Sequence, residues 1–420
     1  MEEQRNWAGN FKYSAARIHK PESMEQVQQL VARSNKVKVL GTRHSFNAIA
    51  DTTEDHISLG NLNRVLELDR ERRTVTVEGG IQYSDLCQYL HQNGYGLPNM
   101  ASLPHISVAG ACATATHGSG DENHILATSV REMEFVTAKG DVVHFSRDHS
   151  PELMGGAAVS LGGLGVVTKL TLDVIPAFQM RQDVYENLPL SNVKGHFEDI
   201  TSSAYSVSLF TDWREETFNQ VWLKHKLTEG ISFEEKPEFF GATIATTKVN
   251  PVPGSEAVNC TEQLGVTGEW HERLPHFRMD FTPSSGEELQ SEYIFPRQHA
   301  YDALSAVAQL GEEIAPHLHV SEVRTIAEDD LWMSSCYKQK SVAIHFTWKD
   351  DWDSVQKLLP KIEEQLSPFQ ARPHWGKLFT MEPKHLQGLY EKLPDFQQLL
   401  QHYDPQGKFR NKFLDKYIFG

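Results

Sequence analysis

The sequence predicts an α+β protein, with several small sheets in its first part and a larger helix-backed antiparallel sheet in its second. Three observations carry that prediction. Up to about residue 175, helical and period-two patterns alternate without the regular spacing of a βαβ wind. No G-x-G-x-x-G follows a strand and no G-x-x-x-x-G-K-[ST] is present, so the doubly wound dinucleotide fold and the P-loop both lack their signature. Past Pro176 the chain reads as strands separated by long helices, an order that builds a sheet with helices on one face.

Ser23 and Gln26 form a capping box before an apolar face of Met24, Val27, Leu30 and Val31, which predicts the first helix. A strand from Val37 to Leu40 runs into Gly41. Strands follow at Arg64–Leu68 and Thr74–Val77, then a turn at Gly79-Gly80. A helix from Tyr83 carries Leu86, Cys87 and Leu90 and stops at Gly94. Met133–Thr137 and Val142–Phe145 flank Lys139-Gly140-Asp141 as a hairpin, and a long strand, Val166–Val174, leaves the glycine run Gly162-Gly163-Leu164-Gly165. In the second half the candidate strands are Tyr205–Phe210, Val221–Leu227, Leu289–Phe295, His317–Ile326 and Ser341–Trp348. Amphipathic helices fill Gln298–Ile314 and Trp352–Leu366, and Asp350, Asp351 and Asp353 suit the start of the second. Lys236 to Glu269 reads as a long loop insertion. The last stretch is helical up to Asp404-Pro405 and ends in Gly407-Lys408-Phe409-Arg410-Asn411.

Lys and Arg total 40 against 56 for Asp and Glu, a net charge of −16 that disfavours nucleic acid and anionic membrane as partners. Cys87, Cys112, Cys260 and Cys336 are far apart with no C-x-x-C, which argues against a zinc ribbon or a disulfide framework. No apolar h-region opens the chain and no apolar run approaches the ~20 residues of a membrane span. His317-Leu318-His319 lacks a third ligand, so no metal site is expected, and no G-x-S-x-G marks a serine hydrolase. The expectation is a cytoplasmic, monomeric enzyme of small molecules.

Two tracts suit a flat, phosphorylated ligand. In Leu40-Gly41-Thr42-Arg43-His44-Ser45-Phe46-Asn47 a strand enters a turn whose backbone N–H groups can cradle a diphosphate, with His44 placed to bond whatever carries it. Alone, this is also an ordinary surface loop. The second tract, His105 to Gly120, packs seven Ala or Gly residues between Ala109 and Gly120, so a ligand can lie on its backbone and meet Ser, Thr and N–H donors. Cys112 there is a small buried residue rather than a nucleophile.

Two later features suit a polyhydroxylated ligand. Glu322 and Arg324 point to one face of their strand. Ser341, His345, Thr347 and Lys349 share a face opposite Val342, Ile344, Phe346 and Trp348. Such a polar face is either solvated or looks onto a site. Arg372-Pro373-His374-Trp375-Gly376-Lys377 then brings a lysine that, with Arg324, can stabilise a developing alkoxide.

Together these motifs resemble the vanillyl-alcohol oxidase family of flavoproteins, and within it the bacterial alditol (xylitol) oxidases. The likeness runs from Asn6-Trp7-Ala8-Gly9-Asn10 to Gly407-Lys408-Phe409. It includes Leu97-Pro98-Asn99-Met100-Ala101-Ser102-Leu103-Pro104 and Ala204-Tyr205-Ser206-Val207-Ser208-Leu209-Phe210-Thr211-Asp212-Trp213. The resemblance implies an FAD-binding domain made of residues 1–178 and 380–420, with a substrate domain of 179–379. It implies FAD bonded covalently to His44 and cradled by Gly41, Thr42, Arg43, His44, Ser45, Phe46, Asn47, Ser102, Ser107, Gly110, Thr114, Ala115, Thr116, His117 and His374. Ser102, Glu322, Arg324, Thr347 and Lys377 would hold the polyol. The implied reaction oxidises the C1 hydroxyl of xylitol or sorbitol to the aldose, with hydride transfer to flavin N5 and O2 reduced to hydrogen peroxide. Lys377, with Arg324 beside it, and His345 are rivals for the hydroxyl proton. The alternative is an aldonolactone oxidase, since the His105–Gly120 tract and the H-W-x-K element are shared with that group.

Overall fold

The computed structural model describes residues 4–228, 236–279 and 287–420. In chain order its strands are β1 Arg17–His19, β2 Val37–Val39, β3 Asp55–Ile57, β4 Val65–Asp69, β5 Thr74–Glu78, β6 Tyr95–Gly96, β7 Val130–Val136, β8 Val142–Ser146, β9 Val166–Asp173 and β10 Ile175–Pro176. The second half adds β11 Gln179–Pro189, β12 Ser206–Thr211, β13 Thr217–Lys226, β14 Glu238–Phe239, β15 Ala242–Ile244, β16 Gly268–Glu269, β17 Glu288–Pro296, β18 Leu318–Ile326, β19 Ser341–Lys349 and β20 Arg372–Pro373.

The first half forms a parallel three-stranded sheet ordered β1-β3-β2 and an antiparallel sheet ordered β4-β5-β9-β7-β8. The second half is one antiparallel sheet that runs β14-β15-β11-β13-β12-β18-β19-β17-β20, with β16 on β11. Its apolar face is the predicted one: Val342, Ile344, Phe346 and Trp348 are fully buried. The helix Trp352–Leu366 covers it with Val355, Leu358, Leu359 and Ile362. That helix starts where Asp351 accepts from Ser354 N at 3.2 Å, as the carboxylate run predicts. Its Glu363 accepts from Tyr293 Oη on β17 at 2.9 Å, pinning helix to sheet. The polar face of β17, β18 and β19 therefore looks away from the helices.

The chain's end returns to its beginning. Val37 N donates to Lys408 O at 3.0 Å, Phe409 packs with Val27, Leu30 and Val31, and Asn411 Nδ2 donates to the carbonyls of Ala48, Ile49 and Asp51. Among the described residues no helix is long and apolar enough to cross a membrane.

Four expectations need correction. The Gln298–Ile314 helix is broken by a turn at Gln309-Leu310 into Ala300–Ala308 and Gly311–Ile314, and Gly311 then packs on the backbone of Trp213, where a Cβ would come within 2.3 Å of its carbonyl oxygen. Lys236–Glu269, read as a loop, contributes β14, β15 and β16 to the sheet edge. The long strand β11 was not anticipated: its middle, Gln182 to Tyr185, is buried on both faces, and Gln182 and Asp183 interrupt the alternation that marks a strand. Past Asn411 the chain continues into the short helix Lys412–Leu414 and a π turn, Asp415–Phe419.

Candidate active site

One cleft of about 470 Å³ separates the polar face of the large sheet from the loops of the first half. Its near wall is the His44 loop and the His105–Gly120 tract. Arg43 sits at φ 65°, a left-handed turn that lets the chain reverse after β2. Asn47 accepts from Ile49 N and donates to Trp375 O and Lys377 O at 2.9 and 2.7 Å, while Phe46 N donates to Gly376 O at 2.7 Å. The loop is thereby stapled to the Arg372–Lys377 element. His44 stacks on Trp7 with ring centroids 5.2 Å apart and lies 4.8 Å from the His105 ring. Both its ring nitrogens are buried without a hydrogen-bond partner, and burial pulls its pKa down to about 3.

Ser107 links the two tracts. Its N–H donates to Thr42 Oγ1 at 3.1 Å, and its hydroxyl sits where a Cβ on Gly41 or Gly110 would come within 2.7 and 2.6 Å. The short helix Val108–Ala113 starts there, and Thr114, Thr116 and His117 continue along the cleft.

The far wall is a row across three strands. In register, Glu292 on β17 faces His345 on β19, which faces Glu322 on β18; Gln290, Thr347 and Val320 form the next row. Glu292 is 1% exposed and is shared by three groups. Arg324 Nη2 pairs with its Oε1, Lys377 Nζ donates to its Oε2 at 2.7 Å, and His117 Nε2 lies 3.3 Å from Oε1. Glu322 lies 2.7 Å from His276 Nε2 through one oxygen, and its other oxygen is 3.7 Å from Arg324 Nε.

Burial opposes ionisation of both carboxyls. Arg324, Lys377 and His117 overcome it at Glu292, and Arg324 and His276 overcome it at Glu322, so both are held well below the usual carboxylate range. Burial lowers Lys377 as well, Glu292 opposing and Arg324 adding to the shift. Burial, reinforced by Lys377, pushes His345 well below its ordinary value, so the imidazole is neutral at neutral pH, and its buried Nε2 has no partner. His374 is neutral for the same reason; its Nδ1 accepts from Gly376 N at 3.1 Å, which leaves the proton on Nε2.

The cleft thus gathers Gly41, Thr42, Arg43, His44, Ser45, Phe46, Ser102, Ser107, Gly110, Thr114, Thr116, His117, Glu322, Arg324, His345, Thr347, His374 and Lys377. Two expected cofactor residues stand behind its wall. Asn47 spends its amide on the staple, and Ala115 is buried at φ 57° as part of the turn after the short helix. Glu292 and His276 were not anticipated. The signal for Glu292 was present, since Glu288, Gln290 and Glu292 alternate with Leu289, Ser291 and Tyr293. His276 comes from a loop with no periodic pattern.

Comparison with known proteins bears on what this cleft holds. Residues 15–146 match the FAD binding domain family, and residues 283–417 match the family described as D-arabinono-1,4-lactone oxidase. The chain is 49% identical to an alditol oxidase from Streptomyces sp. over 418 residues, 99% of either chain. It is 26% identical to L-gulonolactone oxidase from Scyliorhinus torazame, covering 99% of this chain and 98% of that one. Its fold superposes on cholesterol oxidase from B. sterolicum with a TM-score of 0.79 at 12% identity, over 99% of this chain and 96% of the other. Fold and cleft define an FAD-binding oxidoreductase of the vanillyl-alcohol oxidase type. Within that class the chain belongs to the alditol oxidase family.

The near wall fits such a group. Two loops meet at Gly41 and Gly110 without side-chain bulk, and His44, whose buried ring nitrogens find no side-chain partner, lines the same cleft.

Proposed function

We propose that the protein oxidises the C1 hydroxyl of alditols such as xylitol or sorbitol to the aldose, with O2 reduced to hydrogen peroxide. The observation that carries this reading is the Glu292–His345–Glu322 row, flanked by Arg324 and Lys377, on the wall opposite His44. Bound FAD supplies the hydride acceptor that no side chain can supply.

The chain's own residues hold the alcohol and take its proton. Glu322 accepts from chain hydroxyls while Arg324 donates to them, and Ser102 and Thr347 add hydroxyl partners at the two sides of the cleft. Buried polar groups of this kind reject analogues that lack the matching hydroxyls more sharply than an apolar pocket does. The proton goes to His345 Nε2. Lys377 as an ammonium has no lone pair, and Glu292 and Glu322 are engaged by cations and imidazoles, whereas His345 presents a neutral ring with a free nitrogen. Lys377 and Arg324 stabilise the alkoxide that develops. On the near wall, Gly41 to Phe46, Ser107, Gly110, Thr114, Thr116 and His117 hold the flavin, and residues 1–178 with 380–420 form its domain. His44, uncharged and set in the cleft against Trp7, is the residue joined covalently to it.

The lactone-oxidase match over 283–417 favours a second reading, oxidation of an aldonolactone in the same cleft. Visible spectra under anaerobic conditions separate the two. Prompt bleaching of the flavin band by xylitol is expected; bleaching by a galactonolactone with no response to xylitol would move the assignment to lactones.

A further inference from the structure

Residues 242–277 carry a small core of their own over the sheet, where Ala245 and Cys260 pack on Phe210, Trp222 and Val320. This unit lends Pro251, Val252, His276 and Phe277 to the cleft. His276, 6% exposed, follows the turn Arg273-Leu274-Pro275. Thr261 Oγ1 holds that turn from within the unit, donating to Pro275 O at 3.0 Å, and Lys224 ties it directly to the sheet. Lys224 on β13, 1% exposed, donates to the carbonyls of Arg273, Leu274 and Pro275 at 2.7, 2.8 and 2.8 Å. A lysine has three N–H donors, so its whole capacity is spent on three consecutive carbonyls. Burying an ammonium for a loop that water could satisfy on a surface is costly, and the arrangement makes sense where the turn must not move. One residue beyond the third carbonyl is His276, whose Nε2 lies 2.7 Å from Glu322 Oε1. Burial keeps that imidazole neutral, so it donates its single N–H to the carboxylate and fixes which edge of Glu322 stays open to the cleft.

We propose that Lys224 is a positioning residue for substrate recognition: it locks the 273–275 turn so that His276 holds the Glu322 carboxylate in the orientation that receives a polyol. The proposal rests on the reading that Glu322 binds the polyol hydroxyls. It assigns the 242–277 unit a task as well, since its last turn is the link between sheet and carboxylate.

The test uses the flavin-loaded protein and xylitol. Lys224→Met keeps the aliphatic stem and loses the donors; about a 10- to 100-fold rise in KM is expected, with kcat changed less than about 3-fold. Lys224→Arg, which keeps donors for carbonyls, recovers most of that loss. In a Glu322→Gln background Lys224→Met adds less than about 2-fold, because no carboxylate remains to be oriented. An unchanged KM, or a loss that is the same with and without the Glu322 carboxylate, overturns the proposal. If Lys224→Met fails to fold, His276→Phe is read by the same KM-selective loss and the same non-additivity. If the wild type oxidises no polyol at all, the proposed function fails separately. The lock is then read from hydrogen exchange, where Lys224→Met should speed the amides of Arg273, Leu274 and His276 about 10-fold and unchanged protection rejects it.

Discussion

The wall that carries His44 meets the cleft with backbone and small side chains, Gly41, Thr42, Ser107, Gly110 and Thr114. The sheet wall meets it with Glu292, Glu322, Arg324, His345 and Lys377. The first is built by removing bulk, so its sensitivity is to volume: a methyl at Gly110 displaces the Ser107 hydroxyl. The second is built from buried charge, two carboxylates set against a guanidinium and an ammonium, so its sensitivity is to any change of that balance. A cofactor that is bound along its whole length needs a shape. A substrate that must be held, deprotonated and released needs groups whose protonation is controlled.

On that contrast, the largest effects come from the charged wall. His345→Gln is expected to cut kcat by about 10²- to 10⁴-fold, the range of a lost general base. Lys377→Ala follows at about 10²- to 10³-fold, as for loss of one group stabilising developing charge. In both variants the flavin band should stay with the protein, and steady-state rates read beside absorbance check this. Normal turnover in either one removes that residue from the chemistry.

Glu292→Gln comes next and is chiefly a stability change. It leaves Arg324 and Lys377 facing one another in a buried site without their shared carboxylate, and breaking such a pair costs about 3–5 kcal/mol. Denaturant melts should show a lower midpoint with an unchanged slope. The corresponding test of the near wall is His44→Ala. The variant should still fold and bind FAD through the backbone cradle, but acid precipitation should leave the flavin in the supernatant. Flavin that remains on the denatured chain rules out His44 as the attachment point.

The two walls also differ in how much of them could be read from sequence. The near wall is local: Gly41 to Asn47 and His105 to Gly120 are continuous tracts, and of the residues expected to hold the cofactor only Asn47 and Ala115 stand behind the surface. The far wall was legible on β19, where His345 and Thr347 lie opposite the apolar face of Val342, Ile344, Phe346 and Trp348, and at Glu322 and Arg324, which the period of two puts on one face of β18. Glu292 obeys the same rule, since Glu288, Gln290 and Glu292 share one face of β17. His276 and Lys224 were not legible. Their roles depend on a turn meeting a strand 46 residues away and a lysine 49 to 51 residues from its acceptors, and no local spacing encodes that. The −16 net charge had no bearing on the site, because the buried charges there are matched.

The smallest expected effect is the most discriminating, because it separates His345 from Lys377 as proton acceptor. A base works only when unprotonated. His345 has a pKa held below its ordinary 6.5, first by burial and then by Lys377, so its nitrogen stays free as the pH falls. The profile of kcat/KM should therefore be flat through neutrality, with its acid limb below 6.5. The neighbours set the sign of each shift. Lys377 and Arg324 lower this pKa, and Glu292 and Glu322 raise it. Residual activity in Lys377→Met should thus show the limb moved to higher pH, and in Glu292→Gln to lower pH. A neutral Lys377 amine acting as base would behave otherwise. Burial lowers it from 10.5, yet its pair with Glu292 favours the charged form, so the rate would keep climbing as the pH is raised above neutrality. A rising alkaline limb in the wild type, lost in Lys377→Met, transfers the proton to Lys377 and leaves His345 as a hydrogen-bonding group.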